Sequence, residues 1–392
     1  MILGLLKDIK NGEYRTIVTP AEVNSICADG HQVLVQSCAG EGAGFSDDLY
    51  SNEGAEIVDS AEEIWNRADL ITKVKEIEPS EYRYLREGQI IITCIHPAAH
   101  REEVDNLLAS KVISFTAEDS HRYGSPNCEA AGKQGVLFGL ESMLTINGGK
   151  GKFVCGLAGA PAMEVLVLGA GIVGMGAIDL LVAMGAKVTV AATNIGKLRE
   201  LKLKYNNKID TIMSTKENIK KILPKIDMVI NCVKWPKGKK GYLIDRNMLL
   251  SMEKGSVLVD ISNDTDAAIE SFRETTHDNP RYVENGVVHY CVSNIPSAIA
   301  QSTSIAYAAA MLPHLRNILN NGIKEACAKD GYLRRSMTTY KGYLTHEETS
   351  AVQGRPWVRP EDVLGLNDCD IDEAPPATVS KSNNFIEYKE EQ

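Results

Sequence analysis

Three glycines near the middle of the chain constrain its fold more than any other feature. Gly169, Gly171 and Gly174 form a GxGxxG turn. The apolar run Val165–Leu168 precedes it. A glycine- and alanine-rich helical pattern, Ile172 to Met184, follows, and then a second apolar run, Lys187 to Ala192. Strand, glycine turn, helix and strand in that order make the start of a dinucleotide-binding βαβ unit. The first glycine makes the tight turn, the second lets a pyrophosphate approach the backbone, and the third lets the helix pack close to the strand. The helix N-terminus then turns unpaired N–H groups toward the phosphates.

The end of the second strand departs from the usual pattern. An acidic residue about twenty positions past the first glycine ordinarily bonds the ribose hydroxyls of NAD. Here the strand ends Val190-Ala191-Ala192-Thr193-Asn194, with no acid, and Lys197 and Arg199 follow. A carboxylate would repel the 2′-phosphate of NADP, so its absence removes a barrier. Either cation could meet that phosphate, or both could simply solvate a helix surface. The reading is NADP or NAD, leaning to NADP.

A chain of 392 residues is too long for one ordinary core and implies two domains. A net charge of −10 argues against a nucleic-acid surface and suits a small-molecule enzyme. The nine cysteines have neither CxxC nor Cys/His metal spacing. They point to reduced thiols in the cytoplasm and to no metal site. The opening MILGLLKDIK has no cationic lead and reads as a strand, not a signal. Val165 to Ala186 is almost uncharged over a membrane-spanning length. Its glycines, Asp179 and the strand pattern make it a buried strand and helix, so no membrane association is expected.

Residues 1–128 alternate short apolar runs (Ile2–Leu6, Gln32–Gln36, Leu70–Val74, Ile90–Ile95, Lys111–Phe115) with helical segments, an α/β unit in its own right. Glu129 to Thr145 reads as one helix, ended by Asn147-Gly148-Gly149. Further strands are expected at Met228–Cys232, Val257–Ile261 and Val287–Val292, and a second long helix at Gln301–Asn321. The two long helices bracket the glycine turn, which suggests an inserted domain. The expected division is a substrate domain over 1–128 and 301–365, a central Rossmann domain over 129–300, and a disordered polar tail over 366–392. The fold class is α/β, with two Rossmann-like domains.

Three residues could carry chemistry. Arg15 lies in the stretch Asn11–Pro20, Lys75 follows the apolar run Leu70–Val74, and His96 lies in Ile95-His96-Pro97. Strand C-terminal ends are where α/β folds gather ligands. An arginine fork binds a carboxylate in two places, a lysine adds a point charge, and a histidine exchanges a proton near neutral pH. Taken singly, Arg15 and Lys75 read equally as solvated charges and His96 as a packed or capping side chain. Asp264 comes four residues after the strand-end Asp260, and Asn294 follows Tyr290-Cys291-Val292.

Several stretches occur together, in order: Lys7–Pro20, Lys73–Glu76, Leu85–Gln89 with His96, the glycine turn, Asn194–Leu198, Gly255–Ile261 with Asp264, and Tyr290–Pro296. Over residues 1–365 the chain resembles the alanine dehydrogenase and N5-(carboxyethyl)ornithine synthase family, whose folds also occur in the soluble part of NAD(P) transhydrogenase. The resemblance implies that Arg15 and Lys75 bind a substrate carboxylate and oxo group. It implies that His96 is the general acid/base and that Asp264 activates water or ammonia. It places Asn127 and Asn294 at the substrate, and Cys128, Ala192, Thr193, Lys197, Ile261 and Val292 along the cofactor. It also implies a discontinuous substrate domain around a central dinucleotide domain, and a homo-oligomer.

Ala192 stands where the family usually has a ribose-binding Asp. Asn127-Cys128 replaces a usual Met-Ser, Ile295 a usual Met, and the loop Thr116–Asn127 is short. The resemblance therefore implies an NAD(P)-dependent L-amino-acid dehydrogenase acting on a small 2-oxo acid and its amino acid. An opine-type reductase that condenses the oxo acid with a second amino acid, and a non-aminating transhydrogenase-like protein, are the alternatives.

Overall fold

The computed structural model describes residues 1–235, 240–262 and 268–389. Two compact units divide the chain. One is built from Met1–Ser125 and Ala300–Gln392, the other from Pro126–Ile299. The chain thus leaves the first unit after Ser125 and returns to it at Ala300.

Six parallel strands form the centre of the first unit: β1 (Ile2–Leu5), β2 (Gln32–Gln36), β3 (Glu56–Val58), β4 (Leu70–Thr72), β5 (Ile90–Thr93) and β6 (Ile113–Thr116). Their order is β3-β2-β1-β4-β5-β6. The direction of winding reverses between β1 and β4, and α/β sheets bind ligands at such a switch point. Every residue of β4, β5 and β6 is buried, as expected for parallel strands covered on both faces.

The second unit repeats the plan with β7 (Glu164–Leu168), β8 (Lys187–Ala192), β9 (Asp210–Met213), β10 (Met228–Asn231), β11 (Val257–Asp260), β12 (Arg281–Glu284) and β13 (Val287–Tyr290). Its order is β12-β13-β11-β10-β7-β8-β9, with β12 antiparallel at the edge. Its switch point lies between β7 and β10. The helix Pro126–Ser142 lies against Ile172–Ala183. A Cβ on Gly132 would fall 2.0 Å from the Val173 carbonyl, and one on Gly176 would fall 2.6 Å from that of Glu129. At Gly132 and Gly176 the two helix backbones touch, which leaves no room for a side chain.

The return segment closes the first sheet with β14 (Met337–Tyr340), antiparallel to β6, and β15 (Tyr343–Leu344). The long helix Ala300–Lys329 buries Tyr307, Met311, Leu315 and Ile318 in the same core as Leu3, Leu5 and Val35. It breaks at Gly322 (φ 75°, ψ 170°), one residue past the end expected from the sequence. The carboxy-terminal segment, read from its composition as disordered, carries hydrogen bonds. Asp372 accepts from Arg122 and from the Gly331 N–H, and its carbonyl accepts from Arg334 Nη2 at 2.7 Å. Ile386 N–H donates to the Trp357 carbonyl at 2.9 Å. Among the described residues no helix is long and apolar enough to cross a membrane.

Most strands stop short of their apolar runs. Val74, Ile95 and Val292 follow the last ladder residue, yet each is buried. The run continues because the first two loop residues still sit in the core. Strands β3, β9, β12, β14 and β15 went unread. They are short, and apart from β14 they are only partly buried.

Candidate active site

In the first unit, the segments that follow three neighbouring strands carry three of the candidate side chains. Arg15 lies on the β1 loop, Lys75 after β4 and His96 after β5. Asp8 ties the first two loops together. Its Oδ1 accepts the Lys10 N–H at 2.9 Å and its Oδ2 the Lys75 N–H at 2.8 Å.

Arg15 is buried, and Glu13 orients it. Glu13 Oε1 accepts from Arg15 Nε at 2.7 Å and Oε2 from Nη2 at 2.5 Å. This two-point grip fixes the plane of the guanidinium. Lys75 is half-buried, and its ammonium forms no ion pair among the described residues. Glu76 beside it pairs with Lys10. Burial alone would raise its carboxyl, but the Lys10 hydrogen bond and the charge of Lys75 hold it down to about 2.

His96 sits in a left-handed conformation (φ 48°), which histidine adopts more readily than bulkier residues. Glu118, on the 3-10 turn Ala117–Asp119 after β6, accepts twice through Oε1. It takes the His96 backbone N–H at 2.8 Å and stands 3.0 Å from Nδ1 of the ring. The ring is 45% exposed. The Glu118 charge is the largest influence on it and raises the imidazole above its ordinary value, against partial desolvation. Burial opposes ionisation of Glu118, but the charge and hydrogen bond of His96 outweigh it and lower its carboxyl. With Nδ1–H directed at Glu118, the other ring nitrogen is left able to exchange a proton. The buried Cys94 thiol lies 3.0 Å from the Tyr307 hydroxyl. Burial and then the Glu118 charge push it up to about 12, while Lys75 and Arg15 act in the opposite sense. One electrostatic neighbourhood therefore holds Arg15, Lys75 and Glu118.

The glycine turn occupies the switch point of the second unit. Gly169 has φ 97°. A Cβ on Gly174 would fall 2.3 Å from the Gly169 carbonyl, so the helix packs directly on the turn. Gly171 caps the helix Ile172–Ala183, and a Cβ there would meet nothing within 4 Å. The first and third glycines thus answer to close packing, and the second faces open space suited to a pyrophosphate. These residues fit a dinucleotide.

Ala192 ends β8 and is buried, and Thr193 is exposed. Asn194 caps the next helix, its Oδ1 accepting the Lys197 N–H at 3.0 Å. Lys197 pairs at 3.2 Å with the exposed Glu200, a contact weak enough for an anion to displace. Asn127 and Cys128 open the helix Pro126–Ser142 and are half-buried, as are Ile261 and Asn294, the latter at φ 63°. Val292 is core, buried among Val259 and Tyr290. Asp264 lies outside the described residues. Among those described, no group of three or more His, Cys, Asp or Glu is placed to hold a metal.

Glu13, Glu118 and Tyr307 were missed in the sequence. Glu118 had a readable signal, since it follows the apolar run Lys111–Phe115 and lies just past a strand end. Glu13 and Tyr307 had none, because an acid two residues from Arg15 and a tyrosine within a helix are ordinary features.

Models of the alanine dehydrogenase/PNT N-terminal and C-terminal domains match residues 4–125 and 135–347. An alanine dehydrogenase of Methanococcus maripaludis is 36% identical over 93% of this chain and 100% of its own length. One from Bacillus subtilis is 34% identical over 93% and 98%. A solved L-alanine dehydrogenase superposes with a TM-score of 0.84 at 30% identity, covering 90% of this chain and 99% of that one. A transhydrogenase from Sinorhizobium meliloti shares the fold, with a TM-score of 0.74 at 22% identity over 88% and 99%.

Proposed function

The chain belongs to the alanine dehydrogenase/PNT family, and on that premise we propose that it is an NAD(P)-dependent L-amino-acid dehydrogenase. It would interconvert a small L-amino acid and its 2-oxo acid. The observation that carries the reading is the His96–Glu118 pair, set at the same strand-end edge as Arg15 and Lys75. A carboxylate clamp, a second cation and a proton-exchanging ring are what reductive amination needs from a protein.

Arg15 binds the substrate carboxylate, its plane already set by Glu13. Lys75 polarises the oxo oxygen. His96, through the nitrogen not held by Glu118, gives a proton to the departing oxygen and takes one back in the reverse direction. Asp264 activates ammonia or water, a role that rests on family resemblance. The dinucleotide, when bound, supplies or accepts the hydride.

The test is a nicotinamide absorbance assay with pyruvate and other 2-oxo acids, with ammonia and with amino acids as amine donors. Turnover with ammonia supports the proposal. Turnover that needs a second amino acid assigns the chain to opine-type reduction instead. His96→Gln should bind the dinucleotide as the parent does and lose most turnover.

The cofactor reading leans to NADP. Ala192 offers no carboxylate to repel a 2′-phosphate, and Lys197 stands within the first turn of the next helix. NADPH should serve at least as well as NADH, and Ala192→Asp should shift the kcat/KM ratio toward NADH. A strong NADH preference in the parent would sink this reading and leave the dehydrogenase reading intact.

A further inference from the structure

The first unit contains a cavity of about 420 Å³ whose lining includes neither Arg15, Lys75 nor His96. Arg101 and Leu108 enter it from one face of the helix Arg101–Ala109, seven residues apart. Leu344 of β15 and the loop residues Arg355, Trp357 and Val358 form the facing walls.

The polar character of this cavity is one-sided. The guanidiniums of Arg101 and Arg355 are donors only, and no carboxylate lines the space. The Tyr343 hydroxyl, also at the wall, donates to the Lys389 carbonyl at 2.8 Å. Arg355 Nη2 donates to Asp105 at 2.7 Å. The Arg355 side chain is 11% exposed. Leu108, Leu344 and Val358 supply apolar walls. An anion with an apolar body matches this lining, and the volume is within the range of small-ligand pockets.

Hydrogen bonds lead from this cavity to His96. Arg101 Nη1 donates to the Gln353 carbonyl at 3.2 Å. The Gln353 side chain donates to the carbonyls of Pro97 at 2.6 Å and Ala98 at 3.4 Å. Pro97 directly follows His96, in the turn that Ala99 N–H closes onto the His96 carbonyl.

We propose that this cavity is a regulatory site for a small carboxylate with an aromatic or branched apolar body, and that its occupancy is passed through Gln353 to the turn that carries His96. An occupant that draws Arg101 toward its carboxylate loosens the hold on the Gln353 carbonyl. The Gln353 grip on Pro97 and Ala98 then shifts, and with it the His96 ring. The regulatory half rests on the reading of His96 as acid/base, and the binding half does not.

Indole-3-propionate is a suitable probe, because it carries neither a 2-oxo nor a 2-amino group and is no substrate. Calorimetry on the full chain should show saturable binding, one probe per chain. Indole-3-propionamide and inorganic phosphate should not compete. Arg355→Gln and Arg101→Gln should each weaken binding about tenfold or more, the loss expected for a charged hydrogen bond. Leu108→Trp, which fills the space and leaves both charges, should abolish it. Thermal melts of the three variants identify any loss that comes from unfolding. Bound probe should also shift the NMR titration of the His96 ring, assigned with His96→Gln. Gln353→Ala should cancel that shift while leaving affinity unchanged.

Absence of saturable binding, equal binding of the amide, or binding indifferent to Arg355→Gln and Leu108→Trp would overturn the site. Phosphate binding as well as the probe would reduce it to an adventitious anion contact. A His96 titration unmoved by the probe, or moved equally in Gln353→Ala, would overturn the relay. Binding that persists in a chain without aminating activity would leave the site standing and count against the active-site reading alone.

Discussion

At His96 a single oxygen of Glu118 holds both the backbone and the ring, so position and protonation have one origin. The pair raises the His96 imidazole and lowers the Glu118 carboxyl. The histidine part of its stabilisation is fully present below the unfolded value of about 6.5 and is lost as pH rises through the higher folded value. The Glu118 part is present above about 4.3 and is lost as pH falls through its lowered value. Glu118→Gln keeps an acceptor for the ring and removes the charge. The limb of the pH–rate profile governed by His96 should therefore move to lower pH. The melting-temperature difference from the parent should be greatest between about pH 4.3 and 6.5. A profile that does not move would separate His96 from the rate. Arg15 poses a different problem. Its partner Glu13 has a side chain 0% exposed, so Arg15→Ala breaks a buried ion pair. The expected cost is about 3–5 kcal/mol by urea titration, besides a higher Michaelis constant for the oxo acid. Arg15→Met with Glu13→Gln should recover much of the stability and none of the substrate affinity.

At the scale of elements, glycines in two adjacent helices of the second unit serve different ends. Gly132 meets the Val173 carbonyl, where no Cβ fits, and Gly171 meets nothing. Gly132→Ala should separate the helices and lower stability by about 1–3 kcal/mol, read by denaturant titration. It should leave dinucleotide affinity close to the parent's per folded molecule. Gly171→Ala should keep the melting temperature and weaken dinucleotide binding, because the new methyl group stands where the pyrophosphate approaches. The GxGxxG spacing was legible for this reason: a backbone turn that must admit a phosphate has few solutions. Glu118 was less legible, because its effect on His96 depends on β6 lying beside β5, and a residue pattern does not state strand order.

At the scale of the molecule, the carboxy-terminal segment is part of the first unit's packing. The Asp372 carbonyl accepts from the buried Arg334, and Tyr388 meets the Tyr343 ring edge-on at 5.1 Å. Ending the chain after Leu366 should lower the melting temperature and expose the apolar surface near Trp357. An unchanged melt would return the segment to the status of a loose tail. Its composition, polar with Pro375-Pro376, reads as disorder because its partners are distant in sequence and it has no periodicity of its own. The sequence by itself determined the α/β class, the inserted order of the two units, the glycine turn, and the strand-end positions of Lys75 and His96. All of these follow from local patterns of apolar runs, turns and loop polarity. Only the tertiary structure decided that both sheets wind from a central switch point. It alone joined Glu118 to His96 and Gln353 to the turn after His96. Those pairings come from strand order and from the return of the chain after residue 299, and no local pattern encodes a contact between segments so far apart in sequence.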